Sequence, residues 1–244
     1  MNRREALFSL GAMTAAGAAV ASGQAGAEVM RGIPAATGIT PDHLPRPITR
    51  GGFQVLTDEK DQRLLAAVFD RLIPADDNGP SATEAGCLDF LDRQLAGDYG
   101  AGAALYLEGP LNRQNDEAIM RQPQFLATPR ARYESGLKAL EAYAQKEDGK
   151  AFADLAPERI DAILEGLEAG TVSLGSDVDG QAFFELMLQN AREGYLADPI
   201  YGGNKGMAGW KMMGFPGARY DYRPYIDRRG EDLGLTPVSL IPND

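Results

Sequence analysis

Residues 179–197 read DGQAFFELMLQNAREGYLA. Phe183, Phe184, Met187, Leu188, Ala191 and Tyr195 recur every three or four positions, the spacing that gathers side chains on one face of an α-helix. The helix opens after Asp179, and Asp198-Pro199 stops it, because the residue before a proline avoids the helical region. An apolar stripe of this kind is stable only against another stripe.

Four more such stripes precede it. The first helix has Thr57 as N-cap and Asp58 and Glu59 in its first turn, carries Leu64, Leu65, Val68, Phe69 and Leu72, and ends at Pro74. A second runs from about Glu84 to Leu95, with Cys87, Leu88, Leu91 and Leu95 on one face. A third starts at Thr128 with Pro129 in the first helical position and carries Tyr133, Leu137 and Leu140. A fourth follows Pro157, with Ile160, Ile163, Leu164 and Leu167, and stops near Gly170. Gly100 to Pro123 reads as a loop with at most a short helix, and no stretch alternates as a strand does. The expectation is an all-α protein, a compact helical domain of about five helices spanning 56–227. An irregular Gly/aromatic-rich loop at 198–217, an extended Pro/Gly-rich arm at 28–55 and a tail at 228–244 complete it.

Residues 1–27 read as an export signal. Arg3 and Arg4 precede a weakly apolar stretch rich in Ala and Gly, and Ala25-Gly26-Ala27 is a small-x-small cleavage site. The stretch is too short and too weakly apolar for a lasting transmembrane helix. Its low hydrophobicity and paired arginines favour the twin-arginine (Tat) route, which carries folded proteins. The expected location is therefore the periplasm.

Composition narrows the chemistry. The 244 residues are 44% hydrophobic, enough for a core that needs no disulfides. The net charge of -11 opposes binding to nucleic-acid phosphates and to an anionic bilayer, so membrane association would have to come through a partner. One Cys and one His cannot build a Cys/His zinc site, a Cys-x-x-Cys pair or a covalent haem attachment. The lone His43 sits in the arm, where nothing preorganises it as a base. Neither the phosphate-binding loop nor the dinucleotide-binding glycine fingerprint is present. Glu158, Asp161, Glu165 and Glu168 share a helix as a solvated acidic face. No catalytic, cofactor-binding or metal-ligating set emerges. Cys87 has two readings: a disulfide to a partner chain, or a small buried hydrophobe on the Leu88/Leu91 face, which its helical spacing favours.

Asp198 to Gly217 reads DPIYGGNKGMAGWKMMGFPG. Gly202-Gly203-Asn204 supplies positions that tolerate positive φ, and Gly209 before Trp210 permits close backbone approach. Gly214-Phe215-Pro216-Gly217 is a second turn with an aromatic at its tip. The stretch reads equally as a loop packed on its own helices and as a recognition loop, since Trp, Tyr, Phe, Met and Arg anchor interfaces.

This run resembles the gluconate 2-dehydrogenase subunit 3 family, the small gamma subunit of membrane-bound flavin dehydrogenases. The resemblance rests on Asp198, Pro199, Tyr201, Gly202, Gly203, Asn204, Gly209, Trp210, Gly214, Phe215, Pro216 and Gly217. It extends upstream through Gln181–Phe184 and Glu193–Tyr195, and downstream through Ala218–Arg223. Lys205-Gly206 departs slightly from the family's usual charged or polar pair.

The resemblance implies a three-part complex. A large glucose–methanol–choline (GMC)-type subunit binds FAD and oxidises a sugar acid, aldose or polyol. A multihaem cytochrome c subunit passes electrons to quinone and anchors the complex at the inner membrane. The gamma subunit carries the signal to the Tat translocon and acts like a chaperone for the flavoprotein. Partner contacts are expected from Tyr201, Gly202, Gly203, Asn204, Trp210, Phe215, Pro216, Arg219 and Tyr220. Two other readings stay open: a stand-alone periplasmic enzyme using carboxylates and Tyr201, and a sugar-acid binding module with Trp210 as stacking platform.

Overall fold

The structure, a computed structural model, describes residues 52–103, 127–219, 221–231 and 233–240. These belong to the unit Pro41–Asp244; the unit Met1–Thr40, with Arg3 and Arg4, lies outside the described residues. So do His43, residues 104–126 and Tyr220.

Among the described residues there are seven α-helices and no strand. They are α1 (Glu59–Leu72), α2 (Cys87–Ala96), α3 (Asp98–Ala101), α4 (Pro129–Asp148), α5 (Pro157–Glu168), α6 (Gly180–Leu196) and α7 (Ala208–Met213). The five long helices are those whose stripes are legible in the sequence; α3, which overlaps the start of the 100–123 stretch, and α7, inside 198–217, are short helices of four and six residues.

Local chemistry sets the helix starts. Asp58, not Thr57, caps α1, its carboxylate accepting from the Lys60 amide at 2.8 Å. Thr128 caps α4, accepting from Ala131 N, and Asp179 caps α6, accepting from Ala182 N. Helix α2 begins three residues later than its periodicity suggests. Gly86 lies at φ +84, which no right-handed helix passes through. Glu84 serves the preceding turn instead: its carboxylate accepts from Ser81 N while Ser81 Oγ accepts from Glu84 N, a capping box on a turn of its own.

Helix α6 is the hub, packing against α1, α2, α4, α5 and α7. Phe183, Phe184, Met187, Ala191 and Tyr195 are buried in one core with Phe69, Leu91, Tyr133, Leu140 and Ile163. Gly136 lets α4 and α6 close together, since a Cβ there would strike the Phe183 ring, which meets Tyr133 edge-on at 5.7 Å. Leu188 is half-buried at the edge of the α6 stripe and faces the surface groove described below. Cys87 is fully buried, its thiol directed at the Ala191 carbonyl, so a disulfide to a partner chain is ruled out for the folded domain. Burial pushes that thiol up to about 12.

Two carboxylates, Asp92 buried and Asp198 half-buried, tie residues 54–56 and 239–240 to the helices. Asp92 on α2 accepts from the amides of Gln54, Val55 and Leu56, each at 2.8 Å. Asp198, just after α6, accepts from Ile200 N, Ser239 Oγ and Leu240 N. No described helix is long and apolar enough to cross a membrane.

Candidate functional site

The glycine-rich run is not an irregular loop throughout. Pro199–Tyr201 and Lys205–Met207 form 3-10 turns and Ala208–Met213 forms α7. Its inner residues hold it to the end of α6. Asn204 is completely buried at φ +47; its amide donates to the Ala197 carbonyl and its oxygen accepts from Gly209 N, both at 2.8 Å. Trp210 is 5% exposed and donates from its indole nitrogen to the Leu196 carbonyl at 2.7 Å. The α6 end carbonyls, which have no partner within the helix, are thus answered by loop side chains.

The glycines act in different ways. Gly202 lies at φ +98, and a Cβ there would enter the Arg93 guanidinium. Gly203 does not need positive φ; a Cβ would land on the Gly194 carbonyl. A Cβ at Gly209 would land on the Tyr195 carbonyl. Glycine meets helix backbone at both of these points, so the loop lies directly on α6.

The outer residues are apolar and uncovered. Tyr201 is 52%, Met212 47%, Met213 53% and Phe215 43% exposed. The Phe215 ring also meets Trp210 edge-on at 5.3 Å, so a buried aromatic supports an exposed one. All four stand on one run whose inner residues brace it against α6.

Beside this rim lies an open groove of about 880 Å³ between α2 and α6. Phe90, Leu188, Leu196 and Tyr201 supply its apolar lining, with Arg192 and Glu185 among its polar residues. Glu193 also lines it but is engaged, accepting from Gln189 Nε2 and Asn190 Nδ2. Asn190 in turn accepts from the hydroxyls of Tyr99 and Tyr133, whose pKa values burial raises. Leu196 joins the two features: its side chain lines the groove and its carbonyl holds Trp210.

The nine expected contact residues therefore divide. Tyr201 and Phe215 are exposed; Gly203, Asn204 and Trp210 are buried, and Gly202 packs on Arg93. Pro216 is half-buried, and Arg219, also half-buried, donates to the Thr236 carbonyl of the tail. Tyr220 lies outside the described residues. Met212, Met213 and, apart from Tyr201, the groove residues carry no site signal in the sequence. Leu188 reads there as an ordinary stripe position, Leu196 falls outside the stripe, and the methionines lack the turn and aromatic signals of their neighbours. The burial of Trp210 removes the stacking platform that a sugar-acid binding module would use. The described residues contain no cluster of three or more potential metal ligands.

The family profile of gluconate 2-dehydrogenase subunit 3 matches residues 59–217, from the first turn of α1 to the end of the glycine loop. The chain belongs to the gluconate 2-dehydrogenase subunit 3 family. No curated protein matches it, and no solved structure does. The family match ends at Gly217, so the loop and the groove both lie within the matched segment.

Proposed function

We propose that this chain is the non-catalytic small (gamma) subunit of a periplasmic FAD-dependent dehydrogenase complex of the gluconate 2-dehydrogenase type. In this reading residues 1–27 supply the twin-arginine signal, and the helical domain binds the flavoprotein subunit and stabilises its folded form. FAD belongs to that partner and haem c to a cytochrome partner that holds the complex at the membrane.

The observation that supports it is the exposed apolar rim, Tyr201, Met212, Met213 and Phe215, on a loop whose interior is spent on bracing it. The physical logic is that a flavoprotein loads FAD in the cytoplasm and must fold before export. Without a signal of its own, it leaves only when bound to a subunit that has one. Binding to the native form stabilises it by about 3 kcal/mol at roughly a hundredfold excess over Kd. An interface of that kind buries about 800 Å² on each partner, a larger surface than four half-exposed side chains, so in this reading the adjoining groove belongs to the same contact.

The test is a pull-down of the tagged chain from its native cells, with an absorption spectrum of the eluate. A large co-purifying subunit with flavin bands supports the reading, and haem bands identify the cytochrome partner. A colourless chain eluting alone overturns it. Replacing Arg3 and Arg4 by Lys is expected to leave the flavoprotein activity in the cytoplasm; activity still reaching the periplasm would sink the shared-signal idea.

A further inference from the structure

The charge of this chain is unevenly distributed. Residues 198–229 hold six basic and three acidic residues, whereas the rest of the chain holds 18 basic and 32 acidic. The rim therefore lies in a basic stretch of an otherwise acidic protein. Part of that basic charge is answered locally: Lys205 pairs with Asp89, Arg223 with Asp221 and Arg228 with Glu231. Among the described residues no carboxylate pairs with Lys211, Arg219 or Arg229. Lys211 is the one of these placed in the rim itself, exposed on α7 between buried Trp210 and exposed Met212 and Met213. The groove sets Arg192 against Glu185 and Glu193 and is net acidic, so the excess positive charge of this surface is confined to the rim.

We infer that the rim docks on an acidic, apolar-centred face of the flavoprotein subunit, with Lys211 meeting a carboxylate there. This rests on the subunit reading above. Apolar anchors supply the affinity of such a contact, and the cation sets its orientation and speeds encounter. The other acceptor for exposed methionine, aromatic and lysine side chains is an anionic bilayer. Docking there takes clusters of four to eight basic residues, and one unpaired lysine in the rim of a strongly acidic chain does not supply them. An acidic protein face needs only local complementarity, and the acidic remainder of this chain then keeps the partner from binding elsewhere.

The experiment measures association of the full mature chain with the purified flavoprotein by biolayer interferometry at about 50 and 500 mM salt, for the wild type, Lys211→Glu and Lys211→Gln. The expected result is roughly tenfold weaker wild-type binding at high salt, mostly through a slower on-rate. Lys211→Glu is expected to lose about tenfold at low salt, with Lys211→Gln between. Native tryptophan emission from adjacent Trp210 checks that each variant is folded. Binding that ignores salt and stays within twofold in folded Lys211→Glu overturns the acidic-face inference while leaving the subunit reading intact. Co-sedimentation of the wild type with phosphatidylglycerol vesicles, lost in Lys211→Glu, overturns it in favour of a membrane. No association with the flavoprotein at either salt overturns the subunit reading, and this inference with it.

Discussion

The Trp210 indole nitrogen donates to the Leu196 carbonyl oxygen at 2.7 Å, fastening α7 to the last residue of α6. That contact separates two jobs within one glycine-rich run. Residues facing α6 determine the shape of the loop, and residues facing outward present it.

Trp210→Phe keeps most of the apolar burial but leaves the Leu196 carbonyl unanswered. It is expected to cost about 1–3 kcal/mol, the desolvation penalty of a buried acceptor. Trp210→Ala also opens a cavity and is expected to cost about 3–5 kcal/mol. Urea unfolding followed by circular dichroism measures both. Equal stability of Trp210→Phe and the wild type would show that the hydrogen bond contributes nothing.

The glycines of the run are predicted to differ in sensitivity for geometric reasons. Gly206 lies at φ +63 with open space around its Cβ direction, so Gly206→Ala pays only the left-handed backbone cost, about 1–2 kcal/mol. Gly203→Ala drives a methyl group into the Gly194 carbonyl, where only backbone can give way. It is expected to cost about 3 kcal/mol or more by overpacking, although Gly203 has no positive φ. The reverse order of midpoints in thermal unfolding would refute this reading of the loop.

These distinctions also mark what sequence alone conveys. The stripes of α1, α4, α5 and α6 were legible because burial repeats along each helix with the helical period, and Thr128, Asp179 and Pro129 signal helix starts. The α2 start was misplaced because Ser81 and Glu84 form a capping box, a true start signal that here closes a separate turn before Gly86. Helix α7 was invisible: six residues including Gly209 have little intrinsic helix preference, and tertiary anchoring at Trp210 imposes the form. For the candidate site, the density of Gly, Trp and Phe located the segment. Which of its residues turn inward depends on where α6 lies, and local sequence carries no such information.

Asp92 offers a graded test at the other end of the domain. Its Oδ1 accepts from Val55 N and Leu56 N, and its Oδ2 from Gln54 N. Asp92→Asn keeps an acceptor for two of these amides but turns a donor toward the third. Asp92→Ala strands all three. Losses of about 1–2 and about 3 kcal/mol respectively are expected. Hydrogen exchange at residues 54–56 should accelerate before exchange in α6 does. Unchanged exchange in Asp92→Ala would show that the core contacts of Leu56 alone hold this segment.

Cys87 links burial to pH. Desolvation holds its thiol neutral, near a pKa of about 12, with the Asp70 carboxylate adding to the shift and Lys205 opposing it. At pH 8 the native protein is expected to resist an aromatic disulfide reagent, and the denatured chain to react at once. The folded pKa is raised, so the contribution to stability is complete below the unfolded value of about 8.5 and declines as pH rises toward the folded value. Rapid labelling of the native protein at pH 8 would contradict the burial of α2 against α6.

The outward residues provide the complementary prediction. Tyr201 and Met213 are more than half exposed, so Tyr201→Ser and Met213→Ser remove little buried surface within the chain. Each is expected to change stability by no more than about 0.5 kcal/mol. If they anchor the flavoprotein, the double variant should weaken association about a hundredfold or more, because exposed aromatic and thioether groups on a braced scaffold concentrate binding energy. Trp210→Phe should weaken association only as far as it loosens the loop. A double variant that binds normally would move the contact off the rim and leave the groove between α2 and α6 to carry it, testable by Leu188→Glu at its apolar wall.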